Sequence, residues 1–271
     1  MTKNGIQPLP GKGSRHLLQV CCAVLLLAGC SRYVDVEPSA EQVQTRQDVM
    51  SFLESTNEED LLAAFNALAD RAFTQHIRTS RLDANGRELA SENQTIEQHA
   101  DLSVQSSERD VQGDFSLGGI PGLFASDRSG DVASFQSYTI PEDRGYNNPR
   151  HENKYRYQFL DGGELDGRAV RMVDIRVLEA AVEEVSVQRA IITTDVEAGR
   201  VVRLFLETAQ NGLLFTERTS IELRGAWTSA GGVVPQGFRA STTMKSTLSE
   251  PVTLILESSF EFPGSATATD Q

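Results

Sequence analysis

The chain has 271 residues, with 25 Lys and Arg against 38 Asp and Glu, a formal charge of −13 and three cysteines. Apolar residues make up 39% and charged residues 23%, the balance of a globular protein long enough to bury a real core. The acidity excludes nucleic acid as a partner, since a phosphate backbone is met by a basic face.

Residues 1–16 contain Lys3, Lys12 and Arg15 and no acid, and Leu17 to Leu27 form an apolar run that ends in Leu27-Ala28-Gly29-Cys30. A basic start, a short apolar segment and small residues before a cut predict a secretory signal peptide over residues 1–29. A spanning helix would need about 20 apolar residues, which disfavours the alternative of an uncleaved anchor or a buried N-terminal helix. Leu27, Ala28, Gly29 and Cys30 resemble the lipobox of bacterial lipoproteins. That resemblance implies a diacylglyceryl group on the Cys30 thiol, an acylated new N-terminus and a membrane partner reached through lipid. Ser31 after the cysteine implies, by the same resemblance, sorting to the periplasmic face of the outer membrane. Cys21 and Cys22 would leave with the signal peptide, so the mature chain is expected to carry no free thiol and no disulfide. Removal of Lys3, Lys12 and Arg15 would push the charge further negative. Attachment to an anionic surface would then rest on the lipid.

Residues 30–47 are polar and predict a tether. A single domain is expected over 48–262, with a long insert at 108–153 and a polar tail at 263–271. Helical periodicity begins near Val49, and Asn57 followed by Glu58, Glu59 and Asp60 suits a helix start. Leu61, Leu62, Phe65 and Leu68 then form one apolar stripe. From Phe73 the period changes to two. Phe73–Leu82, the turn Asp83-Ala84-Asn85-Gly86 and a return strand within Arg87–His99 predict a hairpin, with a weaker strand within 101–107. Further strands are expected from Tyr155, where Tyr155, Tyr157 and Phe159 alternate with polar residues, then over 168–177, 187–195, 200–208, 213–224, 233–246 and 252–262. Segment 161–167 is expected as a loop. Clean alternation of apolar and polar positions indicates an antiparallel sheet with one buried face.

Three stretches carry a family likeness: Tyr155–Phe159, Glu164–Arg171 with its Asp166-Gly167-Arg168 step, and Thr193–Leu204 with Asp195-Val196-Glu197-Ala198-Gly199-Arg200. Together with Val234-Pro235 before Phe238-Arg239, they resemble the lipoprotein-localisation carrier and receptor superfamily. The resemblance implies an α+β, mainly antiparallel β fold: an unclosed half-barrel with amphipathic helices covering the concave face. It also implies an apolar cavity for acyl chains. Leu61, Phe65, Tyr155, Tyr157, Phe159 and Phe215 are candidate cavity-lining residues, although for any one of them a place in the core is the favoured reading. Leu117, Ile120, Leu123 and Phe124 form a candidate apolar loop, read either as a counterpart of the protruding apolar loop of the family's receptor or, the favoured alternative, as side chains tucked back onto the sheet.

No chemistry is legible. His76, His99 and His151 have no metal-ligand spacing, and no nucleophile elbow, phosphate loop or dinucleotide fingerprint occurs in the mature chain. Glu179, Glu183 and Glu184 read as a solvated run. Asp127, Asp131, Glu142 and Asp143 lie in the insert without calcium-loop spacing. The expectation is a non-enzyme with no cofactor and no metal, anchored by lipid, that binds a lipid, an acyl chain or a lipidated polypeptide. The alternatives are a non-catalytic interaction subunit of an envelope complex and, behind it, a hydrolase built on a carboxylate pair of raised pKa.

Overall fold

Among the described residues, alternation becomes eleven strands in a single antiparallel sheet. The structure is a computed structural model that describes residues 40–56, 58–113, 140–141, 144–212, 215–227, 232–247 and 249–263. Cys30 and its lipobox residues Leu27, Ala28 and Gly29 lie outside the described residues. So do Asn57, Leu117, Ile120, Leu123, Phe124, the four insert acids and residues 264–271.

Among the described residues two helices come first, α1 (Ala40–Ser55) and α2 (Glu58–Asn66), and a single turn of tighter helix follows at Ala67–Asp70. The strands are β1 (Phe73–Leu82), β2 (Glu88–Gln98), β3 (Val104–Ser106), β4 (Asp110–Gly113), β5 (Tyr155–Leu165), β6 (Arg168–Val177), β7 (Val187–Asp195), β8 (Arg200–Asn211), β9 (Phe215–Trp227), β10 (Val233–Ser246) and β11 (Val252–Glu261). Their order across the sheet is β3-β2-β1-β11-β10-β9-β8-β7-β6-β5, with β4 also on β2. Two meanders therefore meet where β1 pairs with β11, and residues 114–154 carry the chain from one edge to the other. No pairing among the described residues joins β5 to the β2–β4 edge, so the sheet is unclosed.

Three expectations are corrected. Residues 40–47, read as tether, are the first half of α1. Ala, Glu, Gln and Arg favour helix on propensity alone, and the segment has too few apolar residues to show a period. The expected insert at 108–153 contains β4, four exposed residues whose pairing on β2 is a backbone matter with no side-chain signature. The expected loop at 161–167 is mostly strand. β5 runs to Leu165 through a bulge between Leu160 and Gly163, and the turn is only Asp166-Gly167, at φ 50° and 77°.

Both helices pack on the same face of the sheet, α1 against β5 and α2 against β8 and β10. Inward-facing residues of nine strands meet them in one cluster that includes Ile77, Ile96, Tyr157, Ile175, Ile192, Leu204, Leu223, Phe238 and Phe260. The opposite face is polar and laced with ion pairs.

Candidate functional site

The α2 stripe fills the centre of the concave face. Leu61 and Phe65 are 0% and 2% exposed, and Phe65 meets Phe260 edge to face at 6.1 Å. Leu61 lies directly on the β9 backbone at Gly225, where an added Cβ would stand 2.9 Å from Leu61 Cδ1 and 2.5 Å from Val233 Cγ1. Gly225→Ala should therefore overpack the helix–sheet contact and cost about 1–3 kcal/mol, read as a lower midpoint in urea at unchanged slope.

Tyr155 and Tyr157 are buried in the same cluster, with their hydroxyls hydrogen-bonded to backbone. Tyr155 Oη donates to Val187 O at 3.0 Å, and Tyr157 Oη donates to Tyr146 O at 2.8 Å. Burial raises the Tyr157 phenol above its ordinary range. Leu61, Phe65, Tyr155 and Tyr157 are thus core residues packed between helix and sheet.

The other two candidate lining residues are not enclosed. Phe215 is 45% exposed at the start of β9, paired with Ser246 at the far end of β10, and its ring lies over Gly212. Its parity on the strand matches buried Ile221 and Leu223, but among the described residues no helix packs over that end of the sheet. Phe159 is 38% exposed at the rim. It meets Phe52 of α1 edge to face at 5.6 Å, and the Arg171 guanidinium stacks on both rings at 5.2 and 5.4 Å. Beside this trio opens a cleft of about 480 Å³, lined by Phe159, Leu160, Asp161, Gly162, Val170, Arg171 and Val196. Arg171 and Val196 carry no sequence signal, because their juxtaposition depends on the β5 bulge and the turn after β7.

A buried polar cluster pins α2. Arg144, 7% exposed at its side chain, stands 3.0 Å from Glu58 Oε1 through Nε and donates from Nη2 to Glu59 Oε1 at 2.6 Å. Tyr146, fully buried, donates to Glu58 Oε1 at 2.9 Å. Burial raises the Glu58 pKa against the opposing pull of Arg144 and of the Tyr146 hydrogen bond. Glu59 is 68% exposed at its side chain, and the other clearly shifted carboxylates, Glu88, Asp101, Asp174 and Asp195, all move downward. Glu58 is therefore a single latched acid rather than half of a pair that could divide acid and base roles. No group of three or more metal-ligating side chains converges among the described residues.

No protein-family model matches the chain, and neither does any curated protein. Among solved structures it is similar to a DUF1329 family protein from Desulfovibrio piger at 9% identity, over 76% of this chain and 92% of that one, with a TM-score of 0.27. A putative outer membrane lipoprotein-sorting protein domain from Vibrio parahaemolyticus also aligns at 9% identity, over 84% of this chain and 96% of that one, again with a TM-score of 0.27. Overlaps of that quality carry no argument, and the architecture rests on the strand topology itself.

Proposed function

We propose that this chain is a lipid-anchored envelope protein that holds an acyl chain at the rim of its half-barrel, between α1 and the β5–β6 hairpin. The observation that carries the reading is the Phe52–Arg171–Phe159 stack at the mouth of the 480 Å³ cleft. Phe159, Leu160, Val170 and Val196 supply apolar walls for a tail, and Arg171 supplies one cation for an anionic head. Apolar transfer at about 25 cal/mol per Å² provides most of the affinity. The centre of the barrel, filled by Leu61 and Phe65, serves as scaffold.

The test uses the full chain in detergent and a fluorescent long-chain fatty acid as probe. Saturable binding is expected, and Phe159→Ala should weaken it about tenfold, the equivalent of losing part of one buried aromatic contact. Absence of saturable binding, or equal binding by a folded Phe159→Ala variant, overturns the reading. Cys30→Ser should move the chain from the membrane to the soluble fraction if Cys30 carries the anchor.

One observation favours the second reading, an interaction subunit. Leu89, Leu102, Val104 and Val111 are each more than 40% exposed along the β2–β4 edge, where a sheet offers unpaired backbone to another chain.

A further inference from the structure

The polar face away from the helices resolves its adjacent arginines in two different ways. Arg176 and Arg189 lie opposite each other on β6 and β7, and wholly buried Asp174 sits between them at 2.7 and 2.9 Å. Arg203 and Arg224 lie opposite each other on β8 and β9 in the same manner, and among the described residues neither forms an ion pair with a carboxylate. Like charges directly opposite on a sheet repel, so such a pair calls for an anion. Among the described residues no side-chain hydrogen bond or ion pair engages Arg224, although its Nε is shut off from solvent. A buried guanidinium nitrogen without an acceptor costs free energy that a bound oxyanion would recover.

Next to Arg224 the sheet has a built hollow. Arg224 pairs with Gly237, Gly237 with Ser259, Ser259 with His76, and His76 with Thr95, so one row of side chains crosses five strands. At Gly237 the row has no side chain, and a Cβ there would stand 2.3 Å from Ser258 O and 3.4 Å from Arg224 Nη2. The guanidinium thus lies over bare backbone at one end of a cleft of about 510 Å³. Hydroxyls and amides of Asn93, Thr95, Ser107 and Ser259 line its middle together with Glu257, which is paired with Arg239 at 3.4 Å, while Glu108 and Asp110 line its far end. The other basic side chains of the cleft already have partners: Arg78 stands 3.0 Å from Glu88, and His76 Nε2 stands 3.6 Å from Glu261.

We infer that this cleft is a binding site for a hydroxylated solute bearing one terminal phosphate, of the glycerol phosphate class, with the phosphate on Arg224 beside Arg203. Arginine meets phosphate oxygens with a planar fork of donors, and the hydroxyls of the middle row suit a polyol body. The acids at the far end repel a second anionic group, which selects a single terminal charge over a polyanion. The same chemistry is available free in solution or as the headgroup of a glycerophospholipid.

The experiment is calorimetric titration of the full chain in detergent, at low salt, with glycerol 3-phosphate, inorganic phosphate and glycerol, and sedimentation of the Cys30→Ser chain, in which no acyl anchor on Cys30 can hold it to a bilayer, with vesicles of phosphatidylglycerol or phosphatidylcholine. Glycerol 3-phosphate is expected to bind, inorganic phosphate to compete more weakly and glycerol not to bind. Arg224→Gln should weaken binding by about tenfold or more while the thermal midpoint is kept. Arg203→Gln should weaken it less. Sedimentation with phosphatidylglycerol alone, lost in Arg224→Gln, would place the phosphate in a membrane headgroup, and titration by the soluble ester would place it in solution. The inference is overturned if no phosphate probe binds, or if folded Arg224→Gln binds as well as the parent chain.

Discussion

Arg144→Met is expected to lower the unfolding free energy by about 3–5 kcal/mol, because it strands the Glu58 carboxylate under α2 with its charge uncompensated. The two side chains are 7% and 15% exposed, and they stand 3.0 Å apart. For a domain of this size such a loss lowers the melting temperature by roughly 10 °C, measurable by calorimetry. Glu58→Gln should cost much less, since the amide oxygen still accepts from Tyr146 and Arg144 keeps Glu59 at 2.6 Å. The double variant should be less destabilised than the sum of the two, and the difference measures the coupling. A drop below about 1 kcal/mol for Arg144→Met would show that water reaches Glu58 and that the latch contributes little.

The same cluster sets a pH dependence whose sign can be worked out. Burial holds the folded Glu58 pKa above its ordinary value of 4.5. A raised acid binds its proton more tightly in the folded state. Its stabilising contribution is therefore complete below the unfolded pKa and is lost as pH rises through the folded one. Asp174 and Asp195 behave oppositely. Arg189 and Arg176 hydrogen-bond Asp174, and Arg168 and the Ala198 N–H hydrogen-bond Asp195. These bonds outweigh desolvation and hold both groups below the ordinary 3.8. Their contribution is present above the unfolded pKa and disappears as pH falls through the folded one. In Arg144→Met the Glu58 pKa should climb further, so the variant should regain more stability than the parent as pH falls from neutral towards the ordinary value of 4.5.

Strand after strand was legible in the sequence because a half-buried sheet writes its burial as alternation. Leu204 and Leu206 point inward and Arg203 and Phe205 outward, and the pairing with β9 keeps that parity. Turns were legible where side chains cap backbone, as Asp83 does for the N–H groups of Asn85 and Arg87. The first half of α1 was hidden because its stabilisation lies in helix propensity, not in a continuous apolar stripe. The cleft residues were hidden for a different reason. Arg224 and His76 are far apart in the chain and come together only through three strand pairings, and no local spacing records a contact made across β10 and β11. The burial of Leu61, Phe65, Tyr155 and Tyr157 was legible, but whether they enclose space or fill it was not. Both outcomes require the same apolar residues at the same parity, and only side-chain volume against the opposing strands separates them.

Phe65→Ala decides that question at the barrel's centre, and it is expected to cost about 3–5 kcal/mol. The ring is 2% exposed and packs edge to face on Phe260, which in turn meets Phe73 at 5.6 Å and Phe238 at 6.2 Å. Removing it takes away one member of a four-ring cluster that ties α2 to β1, β10 and β11. The backbone around it belongs to paired strands and can close little of the resulting cavity. The position lies over β10, whereas the proposed acyl cleft lies at β5 and β6, so fatty-acid binding by the folded variant should stay close to the parent value. A loss under about 1 kcal/mol would mean that Phe65 borders open space instead of packing against its neighbours. A small loss combined with tighter fatty-acid binding would move the acyl site from the rim to the centre of the barrel, with α2 rather than the Phe52–Arg171–Phe159 stack as its cover.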